Sequence, residues 1–446
     1  MNFEQAREVL VSAAKAAGLA EYEIYYIQSE NMSAETLKDE ISSFTSSVEG
    51  GISFRCISDG KMGYASSELF EKEEMEALVK RAISNAANMD GEDTPEIFKG
   101  SEEYPEITHK PLGAISATEL KNVALDLQKK TYAESEYVTD GTQSGTVVSR
   151  FEVALSNSYG LELRNSFGMC GSYVQAVINR EGEAESEFEF CEGFSGEEYD
   201  AISKKTVKGA IEKLGAAEVE SGKYDIIFSA KQMKSMLSTF CSVFSGKQAY
   251  EGLSLLNGKV GEKIAADCIT LVDDPMREGN TMQTAFDGEG VATYRKNVIE
   301  NGVLKTLLYD LATAKKVGLT STGNGHRGSY TSPVSISPYN FYIKGGDKTL
   351  DELTAGVEKG IYITELKGLH AGANAVTGDF SIESAGFIIE HGKLGGAVKS
   401  FTVAGNFFEL LKGIEDISNK VDFSPSSLTS FGSPDVLVRQ VSVAGK

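Results

Sequence analysis

The sequence predicts an α+β protein, with an acidic N-terminal α/β domain followed by a mainly antiparallel, barrel-like or sandwich β domain. The chain has 446 residues, of which 41% are apolar, enough to bury the cores of two or three domains. Residues 1–222 hold 41 acidic and 20 basic side chains, whereas residues 223–446 hold 24 acidic and 23 basic ones. We therefore place a domain boundary after Gly222, between an acidic domain 1–222 and a glycine-rich domain 223–446.

Helical periodicity and turn signals divide the N-terminal half into helices and strands. Asn2 can cap a first helix that ends at Gly18, and a strand follows at Glu21–Ser29. Asp59-Gly60 predicts a hairpin turn between the strands 51–57 and 61–67. Further helices are predicted over Leu69–Met89, Ala117–Ala133 and Gly196–Leu214, and turns over Asn157–Gly160 and Asn165–Gly168.

One predicted strand, residues 181–190, alternates glutamate with small or aromatic residues. A period of two places Glu181, Glu183, Glu185, Glu187 and Glu189 on the same face. This pattern is typical of a solvated strand face. The alternative is an acidic wall that attracts basic partners or peptides, since a surface of one sign steers encounters.

In the C-terminal half, a strand at Tyr224–Ser229 precedes a helix predicted over Ala230–Ser245, and another helix is predicted near Leu304–Val317. The first of these helices has an apolar face. Its other side carries the hydroxyl residues Ser235, Ser238, Thr239 and Ser242. Either this is an ordinary amphipathic helix packed on a sheet, or its hydroxyl side lines a cleft.

The segment 369–392 places glycines and small polar residues between apolar strands, so its backbone could approach a ligand or pair with an added peptide strand. Within it, His370 and Asp379 have the most potential for acid and base chemistry. The alternative is that such residues hold a loop by hydrogen bonds.

Composition and motif searches exclude several function classes. The acidic N-terminal half would be repelled by a phosphate backbone, which argues against direct nucleic-acid binding. No apolar run approaches the ~18 residues of a membrane helix and the N-terminus lacks a signal peptide, so we expect a cytoplasmic protein. The histidines show no metal-binding spacing, and no nucleophile elbow or phosphate loop is present. The glycines of the segment 287–290 are interpreted as a turn.

Several distinctive blocks of sequence follow one another in a fixed order: GISFRCISDGKMGYASSE (51–68), STGN (321–324) followed by SP (332–333), VTGDFS (376–381), GFIIEHG (386–392) and TVAGN (402–406). In these blocks the chain resembles the TldD/PmbA family, most closely its PmbA branch, also called TldE. The resemblance extends over nearly the whole chain. It implies a subunit of a two-component zinc metalloprotease that trims or degrades unfolded peptides.

The resemblance also implies which chemistry this chain lacks. In the TldD-type partner, a helix early in the C-terminal domain carries HExxxH, in which two histidines bind zinc and a glutamate activates water. By this resemblance Ser238 and Val243 stand at the histidine positions and Thr239 at the glutamate position. A match shifted back by one residue places Leu237, Ser238 and Ser242 there, which changes nothing. We therefore expect no catalytic or metal-binding residue in this chain, and zinc in the partner. Glu383 stays open as a metal ligand, because a further ligand of the partner falls near Ser381–Ser384.

The resulting prediction is a non-catalytic subunit that is inactive alone. It would pair with a TldD-type homologue, or with itself, and hold unfolded peptides by main-chain hydrogen bonds. The predicted peptide-cleft residues are Ser238, Thr239, Ser242, His370, Thr377, Gly378, Asp379 and Ser381. The alternative function is a homodimeric peptide- or protein-binding regulator without proteolysis, of the kind that the label "modulator of DNA gyrase" in this family suggests.

Overall fold

A computed structural model describes residues 1–89 and 95–446 of the chain. One antiparallel six-stranded sheet in the order β3-β2-β1-β4-β5-β6 dominates the N-terminal half. Its strands are β1 (Glu21–Leu37), β2 (Glu40–Ser58), β3 (Lys61–Ser67), β4 (Gln143–Asn157), β5 (Glu162–Arg180) and β6 (Glu183–Glu192). The helices of this half are α1 (Phe3–Ala16), α2 (Lys72–Ala87), α3 (Ala117–Glu134) and α4 (Glu197–Glu212).

Local sequence signals explain the first elements of this half. The Asn2 side chain accepts a hydrogen bond from the Gln5 amide at 3.0 Å, and the Gln5 side chain accepts one from the Asn2 amide at 3.1 Å. This reciprocal capping box begins α1 as predicted. The predicted hairpin is also present, because Asp59 (φ 50°) and Gly60 (φ 74°) both adopt the left-handed conformation that a two-residue turn between β2 and β3 requires.

The turn predicted over Asn165–Gly168 is wrong, because these residues lie inside β5. Asn165 is buried and donates a hydrogen bond to the carbonyl oxygen of Gln283 at 3.0 Å. Gly168 belongs in the strand because a Cβ there would lie 2.8 Å from the carbonyl oxygen of Ser149 on β4. Residues typical of turns serve tertiary packing at this position.

The C-terminal half contains a closed barrel and a second sheet. The barrel runs β16-β15-β14-β7-β20 and closes by pairing β16 with β20, with β17 added beside β20. Its strands are β7 (Gly222–Phe228), β14 (Lys359–Lys367), β15 (Asp379–Glu390), β16 (Lys393–Asn406), β17 (Ile414–Ile417) and β20 (Val436–Ala444). All its strand pairs are antiparallel except β7 with β14. The predicted fold class, α+β with a mainly antiparallel, barrel-like second half, is confirmed.

The second sheet of this half has the order β10-β9-β8-β13-β19-β18, and a separate ribbon pairs β11 with β12. Its strands, with those of the ribbon, are β8 (Leu271–Asp273), β9 (Lys296–Glu300), β10 (Val303–Leu304), β11 (Gly325–His326), β12 (Ser335–Ile336), β13 (Asn340–Ile343), β18 (Asp422–Phe423) and β19 (Ser430–Ser433). The helices are α5 (Ala230–Phe240), α6 (Gly246–Tyr250), α7 (Leu311–Lys316), α8 (Leu350–Ala355), α9 (Leu369–Gly372) and α10 (Phe407–Gly413). The domain boundary after Gly222 stays a prediction.

Two helices of this half are shorter than predicted. Helix α5 ends at Phe240, and Cys241–Phe244 continue it as a tighter 3₁₀ turn rather than as an α-helix to Ser245. The helix predicted near 304–317 begins only at Leu311, where the Asp310 side chain accepts a hydrogen bond from the Thr313 amide at 2.7 Å and caps it.

Helix α5 lies at the centre of the C-terminal core. The Phe240 ring stacks on that of Phe407 at 4.5 Å, and the Phe244 ring meets that of Phe341 edge-on at 5.4 Å. These contacts join α5 and its continuation to α10 on one side and to β13 of the second sheet on the other. Within residues 1–89 and 95–446, every helix is too short or too polar to span a membrane.

The acidic face of β6 is neither a solvated face nor an acidic wall, and both interpretations are wrong. Lys399 of β16 lies 3.1 Å from Glu183 and 2.7 Å from Glu185, and Lys231 of α5 lies 3.0 Å from Glu187. The alternate side chains, Ala184, Ser186 and Phe188, are the exposed ones. Periodicity shows which side chains share a face, but the lysines that neutralise this face lie between 16 and 216 positions away in the sequence.

Candidate functional site

Helix α5 presents part of its hydroxyl side to solvent. Ser238 is exposed on α5 and Ser242 on the 3₁₀ turn that follows, whereas Thr239 is half-buried. The Thr239 hydroxyl donates to the carbonyl oxygen of Ser235 at 2.9 Å, and the Ser235 hydroxyl donates to that of Lys231 at 2.9 Å. Two of the four hydroxyls are therefore engaged by the helix backbone, and those of Ser238 and Ser242 face outward.

The segment 374–379 is a tight loop that leads into β15. The side-chain oxygen of Asn374 accepts hydrogen bonds from the amides of Val376 (2.9 Å) and Thr377 (3.2 Å). Gly378 has φ 82°, and a Cβ there would lie 2.6 Å from the ring of Phe408. Only glycine combines this conformation with this close approach, which explains the glycine of VTGDFS.

Asn406 fastens this loop to α10. Its side-chain nitrogen donates to the carbonyl oxygen of Thr377 and to the carboxylate of Asp379, both at 2.8 Å. Its side-chain oxygen accepts from the amides of Phe408 and Glu409 and so caps α10. The asparagine of TVAGN and the aspartate of VTGDFS thus form one structural unit.

His370 and Asp379 are both exposed, but they do not form an acid-base pair within the described chain. The hydrogen bonds from Asn406 and Thr377 hold the pKa of the Asp379 carboxyl below its usual range. This arrangement agrees with the interpretation that Asp379 holds the loop. Thr377 and Ser381 are exposed beside it, and Gly378 is buried.

The predicted peptide-cleft residues come from elements that pack together. The ring of Phe240 on α5 lies 6.5 Å from the ring of Phe380 on β15, edge to face. Asp379 and Ser381 flank Phe380, and because successive strand side chains point to opposite faces, both point away from the face of β15 that packs on α5. Their binding of peptide stays a prediction.

The residues that the resemblance places at the HExxxH position do not fit a zinc site. Ser238 and Thr239 offer hydroxyls, which are poor zinc ligands, and Val243 is buried and has no donor atom. Glu383 is exposed on β15 and lies 4.0 Å from the ammonium of Lys367. Across residues 1–89 and 95–446, no group of three His, Cys, Asp or Glu side chains is arranged to hold a metal ion.

A second site, which the sequence did not indicate, is a buried charge network between the two halves of the chain. Glu23 of β1 is fully buried and accepts hydrogen bonds from Arg55 of β2, at 2.8 Å, and from Arg327. Arg55 also lies 3.5 Å from Glu289, and the Arg327 guanidinium lies 4.6 Å from the centre of the Tyr25 ring. Burial alone would lower the pKa of Arg55, but Glu23 and Glu289 raise it above its usual value.

Asp287 lies beside this network with its carboxylate surrounded by amides. It accepts hydrogen bonds from the amides of Glu289 (2.9 Å), Val291 (3.0 Å) and Gly325 (2.8 Å). Burial, followed by the charge of Glu289, raises the pKa of Asp287 to about 7. The segment 287–290 forms the turn that its glycines predict, since the Gly290 amide donates a hydrogen bond to the Asp287 carbonyl oxygen at 3.0 Å.

A cavity of about 40 Å³ lies against Asp287 and Arg327. Its polar lining includes Asn165 and His326, and burial lowers the pKa of His326. The Asn165 side-chain oxygen and the Nε and Nη1 atoms of Arg327 are buried without a protein partner. The volume is sufficient for a few water molecules that would satisfy these atoms.

The STGN block also serves the structure. Asn324 is fully buried and donates to the carboxylate of Asp273 at 2.8 Å, while Lys296 lies 3.2 Å from the same carboxylate. This triad joins the STGN segment to β8 and β9. The sequence feature that could have revealed these buried networks is a charged residue inside an apolar run, such as Arg55 in GISFRCIS. Spacing along the sequence does not identify the partners of such a residue.

Sequence models of three domains match the chain. Residues 221–445 match the PmbA/TldA metallopeptidase C-terminal domain, residues 22–86 match the PmbA/TldA metallopeptidase domain 1, and residues 110–214 match the PmbA/TldA metallopeptidase central domain. An uncharacterised protein of Methanocaldococcus jannaschii is 29% identical over 410 residues, which cover 91% of this chain and 93% of that protein.

Two solved structures share the fold over nearly the whole chain. TldE from Thermococcus kodakarensis has a TM-score of 0.90 at 25% identity and covers 99% of this chain and 100% of its own. A proposed modulator of a DNA gyrase from Thermotoga maritima has a TM-score of 0.89 at 28% identity, with the same coverage.

Proposed function

The chain belongs to the TldD/PmbA family of metallopeptidases, and we propose that it is the non-catalytic, TldE-type subunit of a zinc metalloprotease that processes or degrades unfolded peptides. The observation that carries this proposal is the composition of α5 and of the 3₁₀ turn that follows it. The resemblance places Ser238, Thr239 and Val243 at the positions of the HExxxH motif, where the two hydroxyls are poor zinc ligands, valine is none, and no carboxylate is present to activate water. We also propose that the protein acts in the cytoplasm, as the sequence predicts.

In this proposal the zinc and the water-activating glutamate come from a TldD-type partner, and this chain contributes a surface for the peptide. The exposed hydroxyls of Ser238 and Ser242, with the exposed side chain of His370, would line one side of the peptide cleft. Main-chain hydrogen bonding at such a surface tolerates varied sequences, which suits unfolded substrates.

A reconstitution experiment tests the proposal. The full chain is mixed with a purified TldD-type homologue and an unstructured peptide, and cleavage is followed by mass spectrometry. We expect cleavage by the mixture, its loss on adding a chelator, and no cleavage by this chain alone. Near-stoichiometric zinc in the purified chain, with chelator-sensitive cleavage in the absence of a partner, would contradict the proposal. If no zinc-bearing homologue co-purifies with it from its native extract, the proposal also fails.

Substitutions on the exposed hydroxyl side test the role of this surface. Ser238→Arg and Ser242→Arg should lower kcat/KM for peptide cleavage by the mixture at least about tenfold, because a bulky cation would obstruct the cleft. Ser12→Arg is the matched control, since Ser12 is an exposed helical serine in α1. Equal activity of all three variants would exclude this surface from the peptide cleft.

A further inference from the structure

The cavity of about 40 Å³ beside Asp287 is lined by polar side chains that have no hydrogen-bond partner in the protein. Its walls come from β1, β4 and β5 of the N-terminal sheet and from segments of the C-terminal half. The side chains of Tyr25 on β1, His326 on β11 and Tyr339, which precedes β13, all line it. Within residues 1–89 and 95–446, neither tyrosine hydroxyl and neither nitrogen of the His326 ring makes a hydrogen bond to protein.

These unpartnered groups lie deep in the protein. Tyr25 is 3% exposed and Tyr339 is 4% exposed. Arg327, on the same cavity wall, is 3% exposed, and two of its guanidinium nitrogens lack a protein partner. Buried polar groups are nearly always hydrogen-bonded, and leaving one unpaired costs free energy. Several such groups around one cavity therefore indicate that the cavity holds a polar molecule or ion.

The chemistry of the lining favours an anion with oxygen acceptors. Burial raises the pKa of Tyr25 to about 12 and the pKa of Tyr339 well above its usual value, so both hydroxyls stay protonated and can donate hydrogen bonds. The guanidinium of Arg327 offers donors only and carries a positive charge. Hydrogen bonds from such donors to an anionic oxygen are stronger than those between neutral groups. A cation would be repelled by Arg327.

The size of the cavity limits the anion to a small one. Its volume of about 40 Å³ corresponds to about three water molecules, which matches the three heavy atoms of a carboxylate group. A tetrahedral phosphate or sulfate is larger. The unpaired side-chain oxygen of Asn165 also lines the cavity and requires a donor. Bicarbonate is a small planar anion whose hydroxyl supplies such a donor, whereas formate would leave this oxygen to a water molecule.

The charges around the cavity permit an additional anion under weakly acidic conditions. The two arginines of the buried network, Arg55 and Arg327, are balanced by Glu23 and Glu289. Asp287 is the remaining carboxyl, and its pKa of about 7 leaves it mostly neutral at pH 6. At that pH the network carries no excess negative charge that would repel the anion.

We propose that this cavity binds a small carboxylate anion, of the size of formate or bicarbonate, through the hydroxyls of Tyr25 and Tyr339 and the guanidinium of Arg327. Because Tyr25 belongs to the N-terminal sheet and the other two residues to the C-terminal half, the bound anion links the two halves of the chain. The proposal is independent of the proposed peptidase role, since none of the residues that line the cavity belongs to α5 or β15.

Isothermal titration calorimetry of the full chain with sodium formate at pH 6 tests the site. We expect saturable binding, and a loss of affinity of at least about tenfold in Tyr25→Phe and in Tyr339→Phe, because each removes one hydrogen bond to a charged group. Neither hydroxyl has a protein partner, so both variants should unfold at the same denaturant concentration as the native chain when formate is absent. Tyr250→Phe is the matched control, since Tyr250 is 56% exposed and lies outside the cavity lining, and it should bind formate as the native chain does.

Three further titrations test the class of ligand. Formamide has the size of formate without its charge, and sodium chloride reproduces the ionic strength, so neither should bind at the concentrations at which formate saturates. Sodium bicarbonate, in a sealed cell at pH 8, is compared with formate at the same pH. Tighter binding of bicarbonate supports the role of Asn165 as an acceptor, and tighter binding of formate supports a site whose Asn165 keeps a water molecule.

Three results would overturn the proposal. The first is no saturable binding of either anion, which would mean that the cavity holds water only. The second is binding of formamide as tight as that of formate. The third is formate binding that is unchanged in both Tyr25→Phe and Tyr339→Phe, which would place the anion elsewhere on the protein.

Discussion

Lys231, in the first turn of α5, holds its ammonium 3.0 Å from the carboxylate of Glu187 on β6 and 2.9 Å from the carbonyl oxygen of Phe188. This contact joins the helix at the predicted peptide cleft to the edge of the N-terminal sheet. Burial tends to raise the pKa of Glu187, but Lys231 and Lys213 lower it by more.

Glu187→Gln should therefore destabilise the protein in a pH-dependent way. Because the folded-state pKa of Glu187 is lowered, its contribution is present above the unfolded pKa of ~4.3 and is lost as pH falls through the folded value. At neutral pH we expect the substitution to lower the free energy of unfolding by about 1–2 kcal/mol, measured by denaturant titration. Glu212→Gln, which breaks an exposed pair with Lys208, should change it by less than about 0.5 kcal/mol.

Asp287 should make the protein less stable as pH rises through the weakly acidic range. Its pKa of about 7 lies above the ~3.9 of an unfolded aspartate, so the folded state binds more protons between these values. The contribution of Asp287 to the free energy of unfolding is thus fully present below pH ~4. It falls by about 1–4 kcal/mol as pH rises towards 7.

The variant Asp287→Asn tests this dependence by unfolding at a series of pH values. The slope of stability against pH between ~4 and 7 should become less negative than in the native chain. Asp39→Asn, at an exposed turn residue, should leave the slope unchanged. An identical slope for the native chain and Asp287→Asn would contradict the assignment.

Phe240→Ala should lower the free energy of unfolding by about 3–5 kcal/mol, because it leaves a cavity where the ring stacks on Phe407 at 4.5 Å. The same substitution at Phe188, which is 45% exposed, should cost less than about 1 kcal/mol. Thermal and chemical unfolding of both variants makes the comparison. Equal losses would show that α5 is not a core helix.

Gly378→Ala should destabilise the loop that leads into β15. The backbone conformation at φ 82° and the approach of a Cβ to within 2.6 Å of Phe408 together predict a loss of about 2 kcal/mol or more. Gly396→Ala is the control, since a Cβ there meets nothing within 4 Å. Hydrogen exchange of the amides of residues 374–379 should accelerate only in the first variant.

The features that depend on neighbouring residues in the sequence were predicted well. The capping of α1 by Asn2 involves residues three positions apart, and the turn at Asp59-Gly60 is specified by its own two residues. The apolar face of α5 is also confirmed, since Met233, Met236, Leu237 and Phe240 are buried. In each case the physical cause, a local hydrogen bond, a backbone preference or a helical repeat, lies within a few residues.

The features that depend on distant contacts were missed. The lysine partners of β6, the strand conformation of 165–168 and the network of Glu23, Arg55 and Arg327 all join segments far apart in the sequence. For the predicted peptide-cleft residues, the structure gives the exposure of each side chain, and their binding of peptide stays a prediction.

By itself, the sequence determined which side chains share a face, where helices and turns begin, and which family the chain belongs to. These properties follow from short-range periodicity and from motifs in a fixed order. Only the tertiary structure decided which faces are desolvated and which charges are paired. The glutamates of β6 illustrate the difference: alternation aligned them, but whether they met water or lysine depended on the packing of α5 and β16 against the N-terminal sheet.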